Sequence, residues 1–244
     1  MITEEGRTKS TIWEVAHRPK TLSELVTYPA LRKRLEMYVK EEDFPHICLH
    51  GGTGTGKTTI ANILATSSET IEREFYECGK LDKKEVKKIS SLSSNAPLYL
   101  FNKKRRCIIM DEFTDLGLGD QKKFGTTFEY ENVGSRYILT TNEIGKVQPM
   151  IASRCQLIPT NICQVNEKNK LVFYDHTELT LNDWKEQLRN RGLQVLQKEV
   201  EWGRIERYDE GVIDKVLDDE TCLEDVRTFI RTLGEQTKMY LMDN

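Results

Sequence analysis

No stretch of the 244-residue chain reaches the roughly 18 consecutive apolar residues that a bilayer-spanning helix needs. No membrane partner is therefore expected. The opening "MITEEGRTKSTIWEV" has no apolar core followed by a small-residue cleavage site, so no secretory signal is read there. The six cysteines, Cys48, Cys78, Cys107, Cys155, Cys163 and Cys222, form no CxxC pair. They read as reduced thiols in or beside a core, not as a zinc site, and the expected compartment is the cytoplasm. No internal repeat or low-complexity tract is present. A net charge of -3, with a pI near 5.9, excludes a protein that coats nucleic acid with its whole surface, though not a local basic face. What remains is an ordinary soluble composition, 38% hydrophobic and 31% charged. A chain this long supports one large domain or two smaller ones.

Apolar periodicity divides the chain. In residues 1 to 45 a short arm precedes "SELVTYPALRKRLEMYVKEEDF", where Leu31, Leu35 and Tyr38 recur at helical spacing. A strand at Ile47 to His50 enters a glycine-rich turn that a helix follows. "REFYEC" is a second strand candidate, and "DKKEVKKISSLSSNA" begins as a charged helix with Val86 and Ile89 on one side. "RRCIIMDEF" is a short, nearly all-apolar run closed by two carboxylates, the pattern of a central parallel strand whose carboxyl end faces a ligand. "SRYILTTNE" repeats that logic, and "RCQLIPT" offers a fifth strand. The alternation predicts an α/β fold with a parallel sheet flanked by helices. Beyond Pro159, "ICQVNEKNKLVFYDHTELT" fits either a hairpin or a loop with one strand, and three helical segments follow. The expected division is an α/β nucleotide-binding domain with its N-terminal arm at 1–160 and a small helical domain at 161–244, with the boundary between 158 and 166.

"GGTGTGKTT" contains GxxxxGK[ST] as Gly51, Gly56, Lys57 and Thr58. Its backbone N–H groups, from Gly51, Gly52, Thr53, Gly54, Thr55 and Gly56 into Lys57, Thr58 and Thr59, are suited to cradle phosphates. Lys57 would set a positive charge against the β and γ phosphates, and Thr58 would hold Mg²⁺ through its hydroxyl. Asp111 at the end of a second apolar strand is placed to bind the metal, and Glu112 to polarise the attacking water. Asn142 closes "ILTTN" and would stand near the γ phosphate if its strand neighbours the one ending at Asp111.

Taken together, "IWEVAHRPKTLSEL", "GGTGTGKTT", "CIIMDEF", "TTN" and "ASRC" resemble the AAA+ ATPase subunits of sliding-clamp loaders of the replication factor C type. The nearest likeness is to the large subunit of T4-like bacteriophages, which would place the protein in the host cytoplasm. The resemblance implies a P-loop NTPase of the AAA+ type with a small helical lid, using ATP and Mg²⁺. It implies a ring of loader subunits that opens a sliding clamp and places it on primer–template DNA. It assigns Lys57 and Thr58 to Walker A, Asp111 and Glu112 to Walker B and Asn142 to sensor 1. Arg154 corresponds to the arginine finger that reaches a neighbouring subunit's ATP. Arg227 corresponds to the lid arginine of sensor 2, and Arg18 to an arm residue near the nucleotide. Other readings of the same motifs are a helicase loader or another DNA-remodelling AAA+ ATPase, or a regulatory AAA+ subunit that hydrolyses ATP weakly.

Several positions depart from the family pattern. His17 stands for a tyrosine, Gly125 for an arginine that links the ATP site to DNA, and Cys78 for an asparagine that restrains the catalytic glutamate. Gln121 keeps the family glutamine. Family subunits continue into a helical collar domain, for which no counterpart is read before Asn244. Two basic clusters, Lys83, Lys84, Lys87 and Lys88, then Lys103, Lys104, Arg105 and Arg106, would track phosphates if they face a ring chamber, and are otherwise solvated faces.

Overall fold

The apolar run at Arg105–Asp111 is the third strand of a five-stranded parallel sheet, and Cys107, Ile108, Ile109 and Met110 within it are fully buried. The computed structural model describes residues 10, 12–91, 105–125, 127–128, 135–160, 162–165, 170–173, 178–219 and 221–243. These divide into two units, one of residues 27–161 and one made from residues up to Val26 together with those from Ile162 onward. Among the described residues no helix is long and apolar enough to cross a membrane.

In the first unit the strands are β1 (Ile47–His50), β2 (Ile71–Glu77), β3 (Arg105–Asp111), β4 (Ser135–Thr141) and β5 (Gln156–Pro159), in the order β2-β3-β4-β1-β5. β3 and β4 have sheet neighbours on both sides and side chains covered on both faces, which is why they read as continuous apolar runs. β2 lies at an edge and tolerates Glu72, Arg73 and Glu74, whereas Pro159 ends the opposite edge strand, where its missing N–H costs no ladder bond.

Helices α1 (Pro29–Glu41), α2 (Lys57–Ala65) and α3 (Lys83–Ser91) cover the sheet. α1 starts with Pro29 in its first turn and buries Leu31, Leu35 and Tyr38. α2 packs along β1 to β4 with Ile60, Ala61, Ile63 and Leu64 buried. Asp82 accepts from the backbone N–H groups of Lys84 and Glu85, and Glu85 accepts from Asp82 N–H, a reciprocal cap that fixes the start of α3. Val86 and Ile89 of α3 enter a cluster with Ile108, Met110, Tyr137 and Leu139, the alternate residues of β3 and β4, and with Phe113, Phe124 and Phe128. Two short helices, α4 (Leu118–Gln121) and α5 (Pro149–Ala152), follow β3 and β4.

The second unit holds a three-stranded antiparallel sheet, β6 (Ile162–Val165), β7 (Lys170–Phe173) and β8 (Glu178–Thr180), where the sequence left a hairpin or a single strand open. Among the described residues four helices follow: α6 (Leu181–Glu201), α7 (Gly211–Leu217), α8 (Thr221–Glu224) and α9 (Val226–Asp243). Thr180 caps α6 by accepting from Asp183 N–H at 3.0 Å. Gly192 in α6 lets α7 and α9 approach closely, since a Cβ there would lie 3.2 Å from Phe229 and 3.3 Å from Ile213.

From Ser10 to Val26 the arm clusters with the helical unit. A one-turn helix at Trp13–Ala16 buries Trp13 against Gly234 of α9. His17 is buried, donates through Nε2 to Glu199 Oε1 at 2.7 Å, and stacks on Trp202 with ring centroids 4.9 Å apart. Arg191 donates to the His17 carbonyl at 2.6 Å, and Lys198 pairs with Glu24. These contacts are long-range pairings of complementary polar groups around two indole rings, invisible to any local pattern. The imidazole of His17 presents one face to Trp202 and an edge contact to Trp13.

Candidate nucleotide site

The order β3-β4-β1 brings the carboxyl ends of these three strands side by side, with Met110 opposite Leu139 and His50 opposite Thr141. This is the position where a parallel sheet holds its ligands. Gly51 N–H continues the pairing by donating to Thr141 O at 3.3 Å before the chain turns into the glycine-rich loop. Gly54 (φ 78°) and Gly56 (φ 89°) occupy left-handed backbone that side chains with a Cβ enter at a cost, and Gly56 is the residue from which α2 starts. Thr55 donates to Gly52 O at 2.8 Å, and its hydroxyl lies 2.7 Å from that of Thr160 on the far side of β5. Gly52 and Thr53 are exposed, and Thr59 is half-buried in the first turn of α2. The loop therefore offers open backbone at the amino end of a nine-residue helix, a favourable place for anionic groups.

Lys57 is 6% exposed, and its ammonium donates to Gly51 O at 2.9 Å, Gly52 O at 2.7 Å and Asn142 Oδ1 at 2.8 Å. Asn142 in turn donates through Nδ2 to Glu112 Oε2 at 3.1 Å. One amide thus joins the loop lysine to the strand-end glutamate. Thr58 Oγ1 donates to Asp111 Oδ1 at 2.8 Å. A hydroxyl beside a carboxylate is a set of hard oxygen donors, and it fits Mg²⁺, which takes one or two carboxylates and completes its shell with water and substrate phosphates. Among the described residues no group of three or more His, Cys, Asp and Glu side chains gathers as a metal site.

Glu112 departs from β3 in the left-handed region, φ 51° and ψ 55°, a conformation that costs a residue with a Cβ about 1–2 kcal/mol. Surrounding bonds hold it there. Asp115 N–H donates to Glu112 O at 2.9 Å, and Glu112 N–H donates to the Thr140 hydroxyl at 3.0 Å. Thr140, which the sequence pattern does not single out, completes this network. It is fully buried, and its hydroxyl also donates to Asp111 Oδ1 at 2.8 Å. The available signal was its place two residues before Asn142, at the end of an apolar strand.

Cys78 is buried beside the same carboxylates. Burial pushes its thiol well above the ordinary range, reinforced by the negative charges of Asp111, Asp115 and Glu112. A neutral thiol is a weak partner for a carboxylate, and the side-chain amide that reaches Glu112 comes from Asn142 instead. Gln121, 1% exposed, stitches the segment after β3 to the segment after β4. It donates to Leu116 O at 3.0 Å and Lys146 O at 3.3 Å and accepts from Gln148 N–H at 3.0 Å. At Gly125 an added Cβ would overlap the Met150 methyl, so Met150 fills the space from which the family arginine side chain would emerge.

Arg154 is half-buried between α5 and β5 and donates to Met150 O. Arg18 and Arg227 belong to the other unit and are exposed there; the Arg227 backbone N–H donates to Asp225 Oδ1 at 2.7 Å. Lys83, Lys84, Lys87 and Lys88 are all exposed on α3. Lys103 and Lys104 lie outside the described residues. Arg105 and Arg106 do not present a bare phosphate track, because Arg105 pairs with Asp43 at 2.6 Å and Arg106 with Glu74 at 3.5 Å across the sheet edge.

A glycine-rich loop on an inner parallel strand, its lysine, and an acidic strand end two strands away define a P-loop NTPase fold of the AAA+ type with a helical region after the sheet. The profile of the AAA family, described as "ATPase family associated with various cellular activities", matches residues 47–160, which form an AAA+ ATPase domain. The chain is 25% identical over 215 residues to the replication factor C small subunit of Staphylothermus marinus, covering 80% of this chain and 63% of that protein. It is 29% identical over 175 residues to the replication factor C small subunit of Methanococcus maripaludis, covering 65% of this chain and 55% of that protein. The chain thus spans less than two thirds of the length of these relatives. Among solved structures, the RuvB Holliday junction branch migration motor of Thermotoga maritima superposes with a TM-score of 0.61 at 16% identity. The match covers 93% of this chain and 67% of that one, a likeness of fold.

Proposed function

We propose that the protein is an ATP-hydrolysing subunit of a ring-shaped sliding-clamp loader acting on primer–template DNA. The observation that carries this reading is the likeness to replication factor C small subunits over 80% of the chain, which runs beyond the ATPase domain into the helical unit. The T4-like bacteriophage likeness of the motifs belongs to the same reading.

In the proposed reaction the Glu112 carboxylate takes a proton from water as the water oxygen attacks the γ phosphorus. The bond from that phosphorus to the β–γ bridging oxygen breaks, ADP leaves with the electron pair, and inorganic phosphate forms. Lys57 and the loop N–H groups hold the β and γ phosphates, and Asn142 orients Glu112. Thr58 and Asp111 would hold Mg²⁺, which when bound neutralises charge on the phosphates. Arg154 supplies positive charge to the ATP of the next subunit, so that turnover depends on assembly. Arg18 and Arg227 contact the nucleotide from within the chain. The exposed lysines of α3 follow DNA phosphates without reading bases.

The test is ATPase activity of the chain with its companion subunits, sliding clamp and primed DNA. Stimulation by clamp and DNA, abolished by Arg154→Ala with nucleotide binding retained, is the expected result. Turnover indifferent to both would overturn clamp loading in favour of another DNA-remodelling AAA+ role. An unchanged rate in Glu112→Gln would remove the catalytic assignment and favour a weakly hydrolysing regulatory subunit.

A further inference from the structure

Glu112 carries its proposed chemistry from a backbone position outside the sheet ladder. The β3–β4 pairing ends at Met110 opposite Leu139, and the β2–β3 pairing at Glu77 opposite Asp111. One residue later the chain has turned left-handed, and the Glu112 N–H is satisfied by a side chain, the hydroxyl of Thr140, at 3.0 Å. The same hydroxyl gives its proton to Asp111 Oδ1 at 2.8 Å, where the Thr58 hydroxyl also arrives at 2.8 Å.

A threonine hydroxyl has one proton to donate and lone pairs to accept. Here the proton and one lone pair are both committed, to two consecutive acidic residues with separate proposed jobs. The side chain is fully buried, so water does not compete for either bond. Its β-branch restricts χ1 within a strand flanked by β3 and β1, which holds the hydroxyl in one direction.

From this geometry we infer that Thr140 is a positioning residue for ATP turnover. It locks the left-handed turn that aims the Glu112 carboxylate, and it fixes the rotation of the Asp111 carboxylate. The inference rests on the ATPase reading above and adds to it a residue that belongs to neither the phosphate loop nor the acidic pair. Thr140 touches no substrate. Its effect passes through the Glu112 backbone, so it should appear in the rate of the chemical step and hardly in nucleotide affinity.

The experiment compares Thr140→Val, which keeps the shape and removes both bonds, with Thr140→Ser, which keeps the hydroxyl. Three readouts are taken on the full chain with its partners: kcat, equilibrium affinity for a fluorescent ADP, and amide hydrogen exchange at Glu112. Thr140→Val is expected to lower kcat roughly tenfold or more, to leave affinity within about threefold, and to speed exchange at Glu112. Thr140→Ser is expected to restore kcat to within about threefold of the parent and to restore exchange protection. In the Glu112→Gln background Thr140→Val should add little further loss, because the two changes act through one group. Thr140→Cys, with a poor donor and acceptor, replaces Thr140→Val under the same criteria if the valine protein does not fold.

The inference is overturned by a Thr140→Val protein with the parent kcat, by a serine protein as slow as the valine protein, or by affinity falling in step with kcat. A parent chain with no turnover under any condition overturns the ATPase reading instead. Amide exchange at Glu112 then decides alone whether Thr140 holds the turn.

Discussion

The Asn142 side-chain amide accepts from Lys57 Nζ at 2.8 Å and donates to Glu112 Oε2 at 3.1 Å, so one residue touches both the proposed phosphate ligand and the proposed base. Hydrogen bonds to charged groups contribute about 1.5–3 kcal/mol each. Asn142→Ala should lower the ATPase rate about 10- to 100-fold while nucleotide affinity changes little, since Lys57 keeps two loop carbonyls. Steady-state turnover measured beside equilibrium binding checks this; an unchanged rate would show that the bridge plays no part in the chemistry.

Lys57→Met should separate binding from folding. The ammonium is buried, and replacing it with an apolar side chain of similar length relieves a desolvation cost as well as removing hydrogen bonds, so the melting temperature should move by only a few degrees. Nucleotide affinity should fall at least about tenfold, because a charge-assisted contact to phosphate is lost. Calorimetric titration with ADP and a thermal melt test both halves. Retained affinity would move the phosphate contact elsewhere.

Acid should destabilise the sheet unit through His46. Burial, with Arg136 nearby adding to it, pushes this imidazole down to about 4 from 6.5, and its Nδ1 accepts the Tyr137 backbone N–H at 3.1 Å. A histidine with a lowered folded pKa takes up its proton more readily when unfolded. The stability it contributes is therefore complete above pH 6.5 and is lost as the pH falls toward about 4, on the order of 3 kcal/mol across the window. His50 is also lowered, by burial and by Lys57, and acts in the same direction. Urea midpoints at about pH 7.5 and about pH 5 should differ in the parent, and less so in His46→Asn, which keeps an acceptor. Equal pH dependence in both proteins would exclude His46 as the source.

Gly234→Ala sets two effects against each other in the helical unit. Alanine favours the helix by about 1 kcal/mol. Its Cβ, however, would stand 2.8 Å from Trp13 Cδ2, the edge of a buried ring held by the arm. Overpacking against a rigid ring costs about 1–3 kcal/mol, so net destabilisation is expected. Denaturant unfolding followed by tryptophan fluorescence measures the sign; a stabilised variant would show that the arm does not pack on α9.

Much of the sheet unit could be read from local pattern, because its causes are local. The closed apolar runs of β3 and β4 follow from burial on both faces, and the glycine spacing follows from the turns it must make. The sequence also anticipated that the strand carrying Asn142 would matter if it neighboured the strand ending at Asp111, and β4 lies between β3 and β1. Thr140 is not legible in the sequence, because threonine in a strand reads as a β-branched sheet former and only the register reveals what its hydroxyl meets. The docking of the arm is illegible for a different reason. His17 and Glu199 are 182 positions apart, and the charge, ring and hydrogen-bond complementarity that joins them has no period. Arg105 and Arg106 read as a basic run, yet their partners Asp43 and Glu74 come from neighbouring parts of the fold.

The pairing of the arm with the helical unit also bears on how the chain comes off the ribosome. Residues 27–161 form one uninterrupted unit, which can close as soon as β5 has emerged. Trp13 and His17 are made before their docking surfaces, Glu199, Trp202 and Gly234. At synthesis rates of about 5–20 residues per second, the arm waits on the order of ten seconds or more with its indole uncovered. Trp13 is thus synthesised well before Gly234, the surface that covers it.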